Sequence, residues 1–310
     1  RFEVDQSLPA SYAFTLAMSP LMPEIKIGDF LSGICKQHNL VIIPSSSTSF
    51  TLYSLDDWYA AGSDLDLQQF IDITSTEINR PELFRRIGFK YQETDQILGY
   101  RYQKTNTTGF GDLRADFDFD GEEFSIELPF ECPLFERLTA IDAGTLTNIL
   151  VYKSQTREAN PDYENRFQPY LGAPILIYGE FSLDISANPI SFVDEALAET
   201  AINQVWYANV SSTALGTGLA HSLCWGADID PYYLTSISNS LYNDYWENYI
   251  SDLYQSRRRI FGVDAVLPIG KILNLNLNDL VVWNNNKFKI NSVSLNLTSG
   301  KARFELLNEV

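Results

Sequence analysis

Histidine and cysteine are scarce in this chain of 310 residues. The two histidines, His38 and His221, lie far apart, so no pair stands at the helical spacing that a zinc site uses. His38 falls at the end of an amphipathic stretch and reads as a structural residue. His221 neighbours Ser222 and Cys224, but a nucleophile and its base must meet in space, and adjacency in sequence is no sign of that. Cys35, Cys132 and Cys224 are dispersed, odd in number and without a C-x-x-C, so they read as reduced, packed thiols and not as a disulfide framework or a zinc cluster. Basic residues are also few, 22 Lys and Arg against 40 Asp and Glu, for a formal charge of −18. That balance lacks the basic footprint of a surface that grips nucleic acid. It reads as solubility and self-repulsion, or as a surface that must not adhere to polyanions.

Several motifs are missing. No apolar run approaches the length of a membrane-spanning helix, and no stretch reads as a signal peptide. The sequence opens on Arg1, as a fragment or a processed or renumbered chain would. It has no G-x-S-x-G elbow and no Walker loop, and Gly216-Thr217-Gly218 lacks the third glycine of a dinucleotide fingerprint. Paired carboxylates can cut glycosides, but forty acids make any chosen pair uninformative. No residue therefore takes a catalytic role, no cofactor is expected, and the chain is read as not an enzyme.

What is present is enough apolar and aromatic material, 45% and 13%, for a real core in two or three domains. Ile27, Phe30, Leu31 and Ile34 recur with helical spacing and predict a helix over 24–38, with Asp29 near its positive end. Leu40 to Ile43 reads as a short strand stopped by Pro44, Ser45 to Ser49 as a loop, and Asp56 to Tyr59 as a helical turn. Leu67 to Ile78 reads as helical or mixed, interrupted by Pro81. From about residue 88 the period becomes two, through FKYQ, LGYRYQ, DFDF and EFSIELPF, as in half-buried antiparallel strands. Further on, 173–185 reads as strand, turn, strand, Phe192 to Asn203 as a helix, and Val205 to Val210 as a strand, with a loop at 216–218. Asn106, Asn209 and Asn296 open glycosylation-type triplets, which chance explains in an Asn-rich chain without a secretion signal.

The segment ADFDFDGEEFSIELPF carries the most specific chemical pattern. Asp116, Asp118, Asp120, Gly121 and Glu127 match the spacing of an EF-hand loop. An EF-hand needs a helix on each side, yet Thr108-Gly109-Phe110-Gly111 precedes this stretch and Pro129 follows it. Position 8, normally apolar, is Glu123. A β-hairpin turning at Asp120-Gly121, with Phe117 and Phe119 facing Phe124, Ile126 and Leu128, accounts for the pattern. A cation held by Asp116, Asp118, Asp120 and Glu127 in some other loop geometry is the alternative.

Residues 240–259 predict an amphipathic helix whose broad face carries Tyr242, Tyr245, Trp246, Tyr249, Leu253 and Tyr254. Arg257, Arg258 and Arg259 fall in its last turn, where cations suit the negative helix end; phosphate or an acidic partner is the other reading. Four short strands follow, with turns at Asn284 to Asn286 and Ser299-Gly300, the pattern of a small closed or nearly closed β-barrel. The expected class is α+β, mainly β. An α+β domain over 1–138 holds the helix and a hairpin region at 88–130, a mixed or β domain covers 139–239, and a helix plus barrel covers 240–310.

Four stretches, taken in order, resemble tail proteins of tailed bacteriophages, especially phages of Bacteroidetes-type hosts. PEIKIGDFLSGICKQHNLVIIP resembles a helix-and-strand signature there, GFGDLRADFDFDGEEFSIELPFE the aromatic-Gly segment and hairpin, and APILIYGE a central strand. The run from YWENYISDLYQSRRR to KARFELL resembles the C-terminal helix and barrel. The resemblance implies a tail or baseplate hub, usually trimeric. Its barrels form a pseudo-sixfold ring around the channel that continues the tail tube. It further implies a place in the virion after assembly in the host cytoplasm, contact with the tail tube and with baseplate, spike or fibre proteins, and DNA that passes through the lumen without binding. No membrane contact is implied, and no lysozyme-like segment is present. Hub families often extend beyond the barrel or begin with a further barrel. Under this reading the acidity lets DNA slide, because phosphate affinity needs Lys and Arg. The interface expectations are Trp246, Arg257, Arg258, Arg259 and the turn Asn284, Asn285 and Asn286. The competing expectation is a receptor- or carbohydrate-binding tail module, which an exposed cluster containing Trp58, Trp206, Trp225 or Trp283 would favour.

Overall fold

The computed structural model describes residues 23–140, 147–151, 170–184, 186, 190–193, 199–212, 221–229, 236–237 and 239–309. In chain order the elements are α1 (Ile27–Gln37), β1 (Leu40–Pro44), β2 (Phe50–Ser54), α2 (Leu55–Ala60), β3 (Asp64–Asp66), β4 (Ile71–Asn79) and β5 (Arg86–Lys90). Then come α3 (Ile97–Asn106), β6 (Leu113–Asp116), β7 (Glu123–Glu127), β8 (Glu136–Ala140), β9 (Thr147–Val151), β10 (Gly179–Asp184), β11 (Ile190–Val193), β12 (Glu199–Ile202) and β13 (Gln204–Asn209). The remainder are β14 (Asp228–Ile229), β15 (Ser236–Ile237), a π-helical turn (Tyr242–Trp246), α4 (Glu247–Leu253), β16 (Ile260–Val266), α5 (Ile269–Leu273), β17 (Leu280–Trp283), β18 (Asn286–Leu295) and β19 (Lys301–Asn308). The fold is mixed α+β and mainly β, as expected. Among the described residues no helix is long and apolar enough to cross a membrane.

The chain divides into two compact units woven from alternating segments: 1–30, 90–113 and 127–240 make one, and 31–89, 114–126 and 241–310 the other. The second holds a six-stranded sheet in the order β3-β17-β18-β19-β16-β4, antiparallel except where β3 runs parallel to β17. Period-two alternation builds its core. Ala302, Phe304 and Leu306 of β19, Phe288 and Ile290 of β18 and Val281 and Trp283 of β17 are all buried. The register of β18 against β19 shifts between Ile290 and Ser292, and that extra residue turns Val293 and Leu295 back toward the core face. Asn284 and Asn285 both have positive φ, 51° and 58°, and join the facing pair Trp283 and Asn286. That is the two-residue turn whose twist suits a hairpin. At the other expected turn Gly300 has φ 69°, and its N–H donates to the Asn296 carbonyl at 2.9 Å.

Several expectations need correction. The four C-terminal strands are present, flanked by β3 and β4 from residues 64–79; among the described residues these two edge strands do not pair with each other, and no closed barrel is found. Leu67 to Ile78 contains no helix; its β-branched residues form the edge strand β4. In the stretch expected to be a helix, Phe192 to Asn203, residues 192–193 lie in β11 and 199–202 in β12, and these two strands pair antiparallel. LGYRYQ lies in helix α3 instead of a strand, closed by Thr107 in the left-handed conformation. The predicted helix over 240–259 is a π turn followed by α4, and it ends at Leu253. The loop at 216–218 lies outside the described residues.

In the first unit, Tyr91, Leu128, Phe130, Cys132, Leu223, Cys224 and Trp225 are buried. The Tyr91 hydroxyl donates to the Leu223 carbonyl. The buried Glu131 carboxylate accepts from the Tyr170 hydroxyl and the Ala173 N–H, each at 2.8 Å. β10 pairs with β13, and the antiparallel pair β11 and β12 falls between them in sequence.

Candidate functional site

The acidic segment 116–127 is not the predicted hairpin. β6 ends at Asp116, and β6 and β7 both pair with β5, in the order β6-β5-β7, instead of with each other. The DFDFD alternation sorts side chains between solvent and interior. Asp116, Asp118 and Asp120 are exposed. Phe117 stacks on Tyr254 at 4.1 Å and Phe119 meets the same ring edge-on at 5.4 Å. The Tyr254 hydroxyl is anchored in turn, donating to the Phe84 carbonyl at 2.8 Å. Gly121 is demanded by the close approach of Leu83, because a Cβ there would lie 1.8 Å from the Leu83 oxygen. Asp116 is committed to arginine: Arg86 reaches it at 2.6 Å and Arg114 at 3.0 Å. Arg86 also reaches Glu123 at 2.6 Å, joined there by Arg85 at 2.6 Å. Hydrogen bonds from these guanidiniums hold the Asp116 and Glu123 carboxyls below their ordinary range. Among the described residues no group of three or more His, Cys, Asp or Glu side chains is placed to hold a metal ion, so Asp116, Asp118, Asp120 and Glu127 do not gather as a cation site.

The aromatic face at 242–254 turns partly inward, with Tyr242, Trp246 and Tyr254 half-buried and Tyr245 and Tyr249 exposed. Tyr242 and Trp246 both meet the ring of Phe89 edge-on, at 5.3 and 5.5 Å, and the Trp246 indole N–H donates to the Lys36 carbonyl at 3.1 Å. Tyr245 meets His38 edge-on at 4.9 Å, and burial pushes the His38 pKa down. The three arginines separate by role. Arg257 is exposed and Arg259 half-buried, while Arg258 is only 1% exposed. Arg258 ties the end of α4 to the end of β19. Its Nε donates to the Asp252 carbonyl at 3.1 Å, one terminal nitrogen donates to the Asp252 carboxylate, and the other to the Asn308 carbonyl. The Lys289 ammonium reaches the other Asp252 oxygen at 3.1 Å and stands 5.1 Å from the centroid of the Tyr59 ring. Desolvation lowers the Lys289 pKa, and the Arg258 charge lowers it further. A cavity of about 290 Å³ opens on this ion cluster. Asp56, Tyr59, Asn248, Tyr249, Asp252, Lys289 and Asn291 supply its polar and aromatic lining, and Leu55, Leu253, Ile260 and Leu307 its apolar wall. It is the kind of concave, mixed surface that orients a small polar ligand.

A second surface is apolar. β1 and β2 form an isolated two-stranded ribbon in which Ile42 faces Leu52 and Pro44 faces Phe50. Those cross-strand pairs share one face, and it is open to solvent: Phe50 is 64% exposed, Leu52 54% and Ile42 41%. No charged side chain occurs between His38 and Asp56, in a chain where one residue in five is charged. Two residues of the α1 stripe, Ile27 at 80% and Leu31 at 48%, are exposed as well, while Phe30 and Ile34 are half-buried. The buried residues of the helix are Gly33 and Gln37. A contiguous exposed apolar face of this kind marks an interaction surface.

The other expected residues take simple places. Asn284, Asn285 and Asn286 are exposed at their turn. Trp225 and Trp283 are buried, Trp58 is half-buried, and the Trp206 side chain lies outside the described set, so no exposed tryptophan cluster forms among the described residues. His221 is exposed, whereas Ser222 and Cys224 are buried and the Ser222 hydroxyl accepts the Cys224 N–H at 3.1 Å. Sequence reasoning missed the Asp252–Lys289–Tyr59 cluster, whose members are scattered along the chain. It also missed the meeting of Cys132 with Cys224. No protein-family model matches the chain, and no curated protein does either.

Proposed function

We propose that this chain is a structural assembly subunit, a tail or baseplate hub protein of a bacteriophage virion. Homo-oligomers, trimers in the favoured form, ring a channel through which DNA passes and join the tail tube to distal tail parts. The observation that carries the reading is the uncharged apolar ribbon of β1 and β2 on a chain of net charge −18. Copies this acidic repel one another, so lasting contact requires a face that has no charge and gains by leaving water. The ordered resemblance of four stretches to tail hubs supplies the identity of the assembly, and the acidity suits a lumen that DNA must not wet. Light scattering joined to averaged electron micrographs tests the reading. A threefold ring with an open channel is the expected result, and Phe50→Asp with Leu52→Asp reduces it to monomers. A stable monomer, together with antibodies that leave virions unlabelled, overturns it.

A second reading, a receptor- or carbohydrate-binding tail module, draws on the cavity beside Lys289. Two tyrosines, two asparagines and paired charges there suit a neutral polyhydroxy ligand. A glycan array decides it: binding that Tyr249→Ala abolishes favours this reading, and an array without hits counts against it.

A further inference from the structure

Two thiols that the sequence separates widely meet inside the first unit. The Cys132 and Cys224 sulfurs lie 4.0 Å apart, and both residues are buried. Gly111 is the platform that brings them together. It has φ 85°, and a Cβ on it would stand 2.7 Å from the Cys132 sulfur and 2.9 Å from the Cys132 Cβ, so the Cys132 side chain rests directly on the glycine. The residue after Cys224 docks on the same glycine, since the Trp225 N–H donates to the Gly111 carbonyl at 2.7 Å. The neighbouring Cys224 N–H is held by the Ser222 hydroxyl at 3.1 Å. One glycine thus fixes both cysteine segments. The sulfurs need to approach by only about 2 Å to reach bonding distance, a movement within the sweep of a side-chain rotation.

We propose that Cys132 and Cys224 are a latent disulfide site, reduced as the chain folds in a reducing compartment and closed when the protein meets a small disulfide oxidant. The chemistry is thiol–disulfide exchange. The Cys132 thiolate attacks one sulfur of glutathione disulfide, and one glutathione leaves as thiolate. The Cys224 thiolate then attacks the Cys132 sulfur of the mixed disulfide and expels the second glutathione. The protein loses two electrons and two protons, and these appear on two glutathione thiols. Burial keeps the reaction slow, because the hydrogen bond with Cys224, then desolvation and the carboxylates of Asp228 and Asp112, hold the Cys132 thiol well above its usual pKa. Opening of the segment sets the rate, while the shared platform favours the product. The inference stands independently of the hub reading.

The test uses the full chain carrying Cys35→Ser, which removes the only other thiol. The folded protein is incubated with glutathione disulfide to completion, quenched in acid, alkylated in denaturant and mapped by mass. The expected result is a cross-linked peptide pair carrying Cys132 and Cys224, lighter by two hydrogens than the sum of the free peptides. A raised unfolding midpoint should accompany it and return to the reduced value on treatment with dithiothreitol. Adding Cys132→Ser or Cys224→Ser removes both effects. Recovery of both cysteines as alkylated thiols or as separate glutathione adducts overturns the proposal. A midpoint lowered by oxidation overturns it too, since it would mean that the bond forms only in a distorted chain.

Discussion

Arg258→Ala probes a buried ion cluster of the second unit. Arg258 is 1% exposed, and it ties the Asp252 carboxylate, the Asp252 carbonyl and the Asn308 carbonyl to one guanidinium. Removing one partner of a fully buried ion pair costs about 3–5 kcal/mol. Here the figure is reduced, because the Asp252 side chain is 31% exposed and Lys289 remains 3.1 Å from its other oxygen. Against that, two backbone acceptors lose a charged donor, at about 1–3 kcal/mol for each that water does not reach. Arg258→Ala should therefore destabilise the unit by about 2–4 kcal/mol. Arg258→Met, which keeps much of the stem packing, should cost less than Ala but remain above about 1 kcal/mol. Arg257→Ala is the built-in control: that side chain is exposed, and the change should stay within about 0.5 kcal/mol. Urea unfolding followed by tryptophan fluorescence measures all three, with an unchanged slope showing that stability alone has moved. Adding Asp252→Asn to Arg258→Met should cost less than the sum of the single changes, because each single change already removes the Arg258–Asp252 ion pair. Equal, sub-kilocalorie effects of Arg257→Ala and Arg258→Ala would refute the reasoning.

Four further outcomes follow. Gly121→Ala forces a Cβ to 1.8 Å from the Leu83 oxygen, so it should lower stability by about 1–3 kcal/mol in denaturant melts. Phe117→Ala should destabilise by about 1–3 kcal/mol through loss of its stacking on Tyr254, whereas Asp118→Asn should leave the unfolding midpoint unchanged; the reverse ranking would revive a cation loop. His38 has a folded pKa below its unfolded value, so the unfolded state binds the proton first as pH falls below about 6.5. Stability should thus decline through that window, and His38→Gln should flatten the decline in pH-dependent melts. Asp116 and Glu123 have folded pKa values held below the unfolded ones, so their contribution is complete above the unfolded carboxylate range and disappears as acid protonates the folded groups; Arg86→Gln should weaken acid resistance between pH 5 and 3, read by circular dichroism.

The C-terminal strands were legible because strict alternation survives in KARFELL, because LVVW is a short apolar run bounded by turn residues, and because Asn-Asn and Ser-Gly mark turns by their backbone freedom. Partner choice was not legible. Period two places Phe124 and Ile126 on a strand without saying that β5 would lie between it and β6. LGYRYQ alternates as a strand does, yet it lies in α3, so tertiary context outweighed its pattern. The amphipathic stripe of α1 correctly gave a helix, but it did not tell that Ile27 faces solvent, since periodicity reports a face and not what covers it. Of the candidate site residues, the Arg258 contacts depend on Asn308, and the cavity depends on residues from Leu55 to Leu307. No local signal joins positions that distant.

The order of strands in the six-stranded sheet has a consequence for synthesis. β19 lies between β18 and β16, so an inner strand of the sheet is the last of the described elements to leave the ribosome, while β3 and β4 at the two edges are among the first. Nothing in the sheet can pair with β4 until β16 has been made, about 180 residues later. The nascent protein must carry an unpaired edge bearing Ile73 and Ile78 through much of translation, and pairings this distant in sequence are the kind that close late.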